Sequence, residues 1–276
     1  MVISQLISEC RRIIGASSET PMLDAKVIVK SALGIDDIRL VLDKYKEVDG
    51  ALAESAAAMA EKRRNHVPIA YITGHREFMS LDFAVESGVL IPRPDTECIA
   101  EAVIENVSGG NILDIGTGSG AIAVSLAKYI PESTVTAIDI SDKALEAARH
   151  NAQTNGISVE FIKADIFKFD TDRIFDCVVS NPPYIETGEI SGLMRDVKDF
   201  EPITALDGGA DGLIFYRKIA DFCKTNLKPG GKIFLEHGFG QSEAVQDILI
   251  GNNFTNVEKI YDLAGIIRGC MAVLKG

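Results

Sequence analysis

The strongest constraint on the fold is the rhythm of residues 111–274, where short apolar runs alternate with amphipathic helical patterns. The runs Asn111–Ile115, Thr134–Asp139, Val159–Lys163, Phe175–Ser180, Lys232–Glu236, Asn256–Tyr261 and Arg268–Leu274 read as strands. Helical spacing fills 119–129, 142–154, 212–226 and 241–250. Alternation of this kind predicts an α/β fold, a mostly parallel seven-stranded sheet covered on both faces. The last two runs are joined by a short link, so one of them is predicted to be antiparallel.

The first 75 residues obey a different period. Ile3, Leu6, Ile7, Cys10, Ile13 and Ile14 mark one helical face, with Gly15 as the stop. Thr20 and Pro21 open a second helix, whose apolar face is Met22, Ala25, Ile28, Val29 and Leu33 and whose end is Gly34. Residues 51–65 are Ala-rich and finish in Lys62-Arg63-Arg64-Asn65, cations suited to a helix C-terminus. The chain is therefore read as a helical domain over 1–75, a hairpin linker over 76–94 and the α/β domain over 95–276. In the linker a turn is expected at Glu86-Ser87-Gly88, between Phe83–Val85 and Val89–Ile91. Asp95 or Thr96 is expected to cap a helix running to about Val107.

Charge sharpens this division. The chain carries 28 basic and 40 acidic residues, net -12, and the deficit falls entirely after residue 75. An acidic field repels phosphate backbones, so a stable nucleic-acid partner is not expected. No apolar stretch is long enough to span a membrane, and the N-terminus has no secretory pattern. The five cysteines are scattered and odd in number, which points to a reducing compartment, hence the cytoplasm. The four histidines show no metal-ligand spacing, so no metal is expected. A monomer is the expected state.

Two segments carry chemistry. In the first, Ile112-Leu-Asp114-Ile-Gly116-Thr117-Gly118-Ser119-Gly120-Ala121, a strand runs through a glycine-rich turn into a helix. Such a loop lets the backbone approach a ligand and offers free N–H groups to an anion. The next strand ends in Asp139, placed to accept from both hydroxyls of an adenosine ribose. Two cofactors fit these residues, a dinucleotide and S-adenosylmethionine. Asp114 favours the second, since a carboxylate repels pyrophosphate but attracts the α-ammonium of methionine. At the end of the third strand, Asp165 can accept from the adenine amino group and Phe167 can pack on its ring, or Asp165 can simply cap a helix.

The second segment is Val178-Val-Ser-Asn181-Pro182-Pro183-Tyr184, at the end of the fourth strand. Ligands of open α/β sheets sit at these strand ends. Two prolines stiffen the loop and present Asn181 rigidly. A planar amino group is a poor nucleophile because its lone pair is delocalised. The Asn181 side-chain oxygen and the Pro182 carbonyl can each accept one of its protons, hold it, and stabilise the charge that develops as it attacks a methyl group. Tyr184 can pack over the flat group.

With these residues the chain resembles the class I S-adenosylmethionine-dependent methyltransferases that act on planar nitrogen. Further stretches narrow the resemblance to the bacterial peptide-chain release factor N5-glutamine methyltransferases: Ile69-Ala-Tyr71-Ile-Thr-Gly74-His-Arg76-Glu-Phe78, Leu90-Ile-Pro92-Arg93-Pro94-Asp95-Thr96-Glu97, Phe200-Glu201-Pro202 with Ala205-Leu206, and Leu235-Glu236-His237-Gly238. The resemblance implies a Rossmann-like methyltransferase sheet with a small N-terminal helical domain that docks the substrate. It implies that Gly116, Thr117, Gly118, Ser119, Gly120, Asp139 and Phe167, with Asn181, bind S-adenosyl-L-methionine. It also implies that Asn181, Pro182, Pro183 and Tyr184 bind the glutamine of the Gly-Gly-Gln motif in class 1 release factors. Phe167 stands where some members carry tryptophan. Arg93 and Glu97 lie in the matched linker, where Arg93 either lines the pocket mouth and meets substrate or pins the linker by ion pairing. The rival substrates are an adenine-N6 or guanine-N2 amino group of nucleic acid and a ribosomal-protein glutamine. His237 ends a strand near the site, but the chemistry above needs no poised base.

Overall fold

The computed structural model describes residues 1–276 and divides into two compact units, Met1–His75 with Met194–Phe200, and Arg76–Leu193 with Glu201–Gly276.

In the first unit, α1 (Ile3–Ile14), α2 (Pro21–Leu33), α3 (Asp37–Leu42), α4 (Gly50–Arg64) and α5 (Ile69–Thr73) are present, together with a one-turn helix at Arg195–Lys198. Leu6, Cys10 and Ile14 of α1 pack on Ala25, Ile28 and Val29 of α2 and on Ala56 and Ala60 of α4. The small side chains of α4 let the helices approach closely. Gly15 and Gly34 end their helices with positive φ, as expected. Three details differ from the sequence reading. Met22 is exposed, and Asp24 takes a buried place on α2. The cations do end α4, as read, but Arg63 also turns inward to meet Asp24, Nε to Oδ2 at 2.6 Å. The short α3 and α5 carry too few turns to show a period.

The second unit opens with the hairpin β1 (His75–Phe78) and β2 (Leu81–Ala84). Its turn is Met79-Ser80, not Glu86-Ser87-Gly88, and residues 89–91 form no strand. Met79 and Ser80 have φ of 51° and 57°, the left-handed pair that two-residue hairpin turns use. Neither is a residue that favours such φ. Tertiary contacts hold them there: Met79 N–H donates to Glu97 Oε1 at 2.8 Å, and the Tyr129 hydroxyl donates to the Met79 carbonyl at 2.7 Å. After a 3₁₀ turn at Pro94–Thr96 comes α6 (Glu97–Asn106), with no side-chain cap from Thr96.

The sheet then alternates: β3 (Gly110–Ile115), α7 (Ala121–Tyr129), β4 (Ser133–Asp139), α8 (Asp142–Thr154), β5 (Glu160–Lys163), β6 (Phe175–Ser180), α9 (Ile214–Asn226), β7 (Leu227–Glu236), α10 (Ser242–Gly251), β8 (Phe254–Tyr261) and β9 (Ile267–Leu274). The strand order is β5-β4-β3-β6-β7-β9-β8, and β9 alone runs antiparallel to its neighbours. This is the expected seven-stranded, mostly parallel sheet. Alternate residues face opposite sides: Leu113, Val178, Ile233 and Leu235 pack under α9 and α10, while Ile112, Cys177, Val179 and Phe234 pack under α6 and α7. The parallel strands β3, β4, β5 and β6 end level with one another, with Ile115 beside both Ile138 and Ser180. Their C-terminal ends therefore open onto a common edge.

Candidate active site

A cavity of about 430 Å³ lies along that edge. Four strand ends build it: Ile115, Gly116 and Gly118 at the end of β3, Ile138 to Ser141 at the end of β4, Ala164 to Phe167 after β5, and Ser180 to Pro183 at the end of β6. Gly88–Leu90 and Pro202–Ala205 complete the walls, with Phe215 edge-on to Phe167 at a centroid distance of 5.2 Å.

Gly116, Gly118 and Gly120 all have positive φ, so the loop bares its backbone to the cavity. Each oxygen of Asp139 accepts one backbone N–H, Oδ2 from Gly118 at 2.9 Å and Oδ1 from Ser141 at 2.9 Å. A carboxylate oxygen has two lone pairs, so each retains one for a ribose hydroxyl. Burial raises the Asp139 pKa against these N–H donors. Asp165 Oδ1 accepts the Phe167 N–H at 3.0 Å, which stiffens the turn that presents the ring.

Asp114 lies wholly inside. Thr117 Oγ1 donates to its Oδ2 at 2.6 Å, while Oδ1 has no partner. Burial pushes its pKa up to about 7, and the Asp139 charge adds to the rise. A carboxyl in this condition fits a cationic group beside it, which would restore its ionised form. A buried carboxylate with a spare oxygen, a glycine turn, and a rim carboxylate with two open lone pairs suit the amino-acid and ribose ends of S-adenosylmethionine. The cavity volume is within the range of small-molecule sites.

Asn181 closes the site on the β6 side. Its Nδ2 donates to Thr96 Oγ1 at 3.1 Å, which turns Oδ1 away from that hydroxyl. Pro182 and Pro183 line the cavity beside it. Of the other residues singled out by sequence, Asp114, Thr117, Ser119 and Gly120 support the loop from beneath and do not line the cavity. The Ser119 carbonyl is held by Asn151 Nδ2 at 2.9 Å, and Gly120 packs against Ala148. Tyr184 is mostly buried, its carbonyl accepting from Gln241 Nε2 at 2.9 Å, and burial raises its phenol to about 12. Arg93 turns to Glu201, its Nη2 at 2.7 and 2.5 Å from the two carboxylate oxygens, and is not in the cavity wall. His237 has its Nδ1 against the Gly238 carbonyl, and burial lowers its pKa. Sequence reasoning missed three features. Thr96 was read only as a cap, Gly88 only as a turn, and nothing in Thr204 or Phe215 marks them as wall residues.

The comparisons with known proteins bear on this geometry. A model of the methyltransferase small domain matches residues 94–196, and one of the PrmC N-terminal domain matches residues 5–74. The release factor glutamine methyltransferase of Thermodesulfovibrio yellowstonii is 41% identical over 89% of this chain and 90% of its own length. That of Clostridium acetobutylicum is 41% identical over 94% of each. The chain belongs to the release factor glutamine methyltransferase family. A solved methyltransferase from Pyrococcus furiosus, 22% identical, shares the fold with a TM-score of 0.53 over 72% of this chain and 90% of its own.

Proposed function

We propose that this enzyme methylates the side-chain amide nitrogen (N5) of the glutamine in the Gly-Gly-Gln motif of class 1 peptide-chain release factors. Its cofactor is S-adenosyl-L-methionine, which when bound supplies a methyl group made electrophilic by a sulfonium. The observation that carries the reading is the orientation of Asn181. With Nδ2 committed to Thr96, Oδ1 is free to accept. The Pro182 carbonyl, on a stretch with no backbone N–H at 182 or 183, is the second acceptor.

Two acceptors suit the two protons of a carboxamide NH₂ and fix its plane. They also stabilise the positive charge that develops on nitrogen as the new bond forms. The proton becomes acidic only at that stage and can leave to solvent, so no residue need act as a poised base beforehand. The residues assigned to the cofactor are the Gly116–Gly120 loop, with Asp114 beneath it bracing Thr117, and Asp139, Asp165 and Phe167. Pro183 and Tyr184 are assigned to the substrate glutamine, with Arg93 holding the linker through Glu201.

The helical domain, residues 1–75, is assigned to docking the release factor. Exposed Leu23, Ile38, Val41, Leu42 and Tyr45 support this role. The enzyme is read as a cytoplasmic monomer without a nucleic-acid partner, on its acidic charge and scattered cysteines. No helix is long and apolar enough to cross a membrane.

The test is intact-mass spectrometry of a bacterial class 1 release factor after incubation with the enzyme and cofactor. One added methyl on the Gly-Gly-Gln glutamine is expected. Asn181→Ala should lower turnover by at least about a hundredfold while cofactor affinity stays near wild type. Lost cofactor binding in that variant would remove the assigned role.

A further inference from the structure

The Glu236 carboxyl, at the end of β7, is buried and its Oε2 has no hydrogen-bond partner. The mechanism above does not use it. Thr96 and Asn181 face it and stabilise its charge, Asp95 on the 3₁₀ turn opposes that charge, and Arg268 on β9 favours it. Arg268 is already committed to two other carboxylates, Asp95 at 2.9 Å and Asp262 at 2.7 Å. Cys98 on α6 and the phenols of Tyr184 and Tyr216 also feel the Glu236 charge. The Tyr216 hydroxyl donates to the backbone carbonyl of Glu236, not to its side chain.

We propose that Glu236, acting on Asn181 directly and through Thr96, is the positioning residue that decides which way round the Asn181 amide sits. The inference rests on the glutamine-methylation reading, because that reading needs an acceptor at Asn181. A terminal amide is nearly symmetric in shape, and a half-turn exchanges its C=O and NH₂. Only one orientation accepts from a substrate amide. Thr96 Oγ1 receives the Asn181 Nδ2 hydrogen at 3.1 Å, so its own proton points elsewhere. Glu236 ends β7 beside Asn181, one residue past the Ser180–Leu235 pair of the parallel strands, and its ionised carboxylate is acceptor-only. The chain from amide to hydroxyl to carboxylate then runs in one direction and leaves Oδ1 for the substrate.

A protonated Glu236 erases that direction. Its O–H can donate to Thr96, Thr96 can donate to Asn181 Oδ1, and the NH₂ then takes the place where an acceptor is needed. Burial pushes the Glu236 pKa up to about 7, which brings this change into the assayable range.

The experiment is steady-state kinetics of the full-length enzyme with release factor between pH 6 and 9, for wild type, Glu236→Gln, Thr96→Val and Thr96→Ser. Calorimetric cofactor affinity serves as the check on folding. In the wild type, kcat at saturating cofactor should fall as pH drops below about 7, separately from the rise in cofactor KM that protonation of Asp114 brings. A glutamine can donate or accept toward Thr96, so Glu236→Gln should lower kcat at pH 8 by about ten- to a hundredfold and flatten the acid limb. Thr96→Val should lower kcat to the same degree, and Thr96→Ser should regain most of it. Wild-type kcat and an unchanged acid limb in Glu236→Gln and Thr96→Val would overturn the inference while leaving the glutamine reading intact. Full turnover in Asn181→Ala would overturn both.

Discussion

In the helical unit the Arg63 guanidinium on α4 meets the Asp24 carboxylate on α2 at 2.6 Å, and both side chains are about 90% buried. In the sheet unit Asp114 and Glu236 are buried as deeply, yet each keeps an oxygen without a partner. The first arrangement compensates its desolvation within the fold and joins two helices at a fixed register. The second leaves desolvation uncompensated, and both carboxyls rise to about 7. Burial of charge is thus structural where it is matched. Where it is unmatched, the carboxyls lie in the last two residues of β3 and β7, at the edge of the sheet that carries the cavity.

Breaking the matched pair should give the largest change. Arg63→Met strands Asp24 in the core and is expected to cost about 3–5 kcal/mol in chemical denaturation. Adding Asp24→Leu should recover most of that loss. If Arg63→Met proves nearly neutral, the pair is not the desolvated contact described.

Asp114→Asn should act in the opposite sense, on binding more than on folding. Cofactor affinity should fall about ten- to a hundredfold by calorimetry, because Thr117 loses the charged acceptor that braces the glycine loop. Stability should rise. The folded-state pKa of about 7 lies above the ordinary 3.8, so between those values the folded protein holds a proton that the unfolded chain has released. Stability therefore falls as pH rises through that window and levels off above it. The contribution is at most about 4 kcal/mol. In Asp114→Asn that part of the slope should vanish, and a slope identical to wild type would show that Asp114 is not the titrating group.

The smallest effect concerns the hairpin. Replacing Met79-Ser80 with Asn-Gly, residues at ease with positive φ, should stabilise the enzyme by about 0.5–1 kcal/mol with turnover unchanged. A loss of stability would mean that the Met79 side chain, which packs against the core beside Phe83, matters more than its backbone.

The sheet was legible because its central strands are apolar runs bounded by turn residues, and Phe175–Ser180 and the helix at 142–154 fall where the pattern places them. The glycine loop and Asn181 were legible for a related reason, since their residue types are costly or rare at a strand end without a purpose. The hairpin was misplaced because its turn is imposed by Glu97 and Tyr129, residues far along the chain that no local pattern discloses. Thr96 was misjudged in the same way. As a residue before an apolar helix it reads as a cap, and only the fold brings it to Asn181 from 85 positions away. The partner of Arg63 was not legible because it lies 39 residues earlier on another helix.

The side chain of Asn151 links two segments that share no other feature. Its Oδ1 accepts the Ala84 N–H at 2.8 Å, and its Nδ2 donates to the carbonyls of Ala84 at 3.1 Å and Ser119 at 2.9 Å. One amide therefore joins the last residue of the hairpin to the loop assigned to the cofactor. The two segments are therefore expected to open together. Occupancy of the loop should then slow the exchange of the Ala84 amide hydrogen with solvent deuterium. The hairpin would report on the cofactor through protection alone.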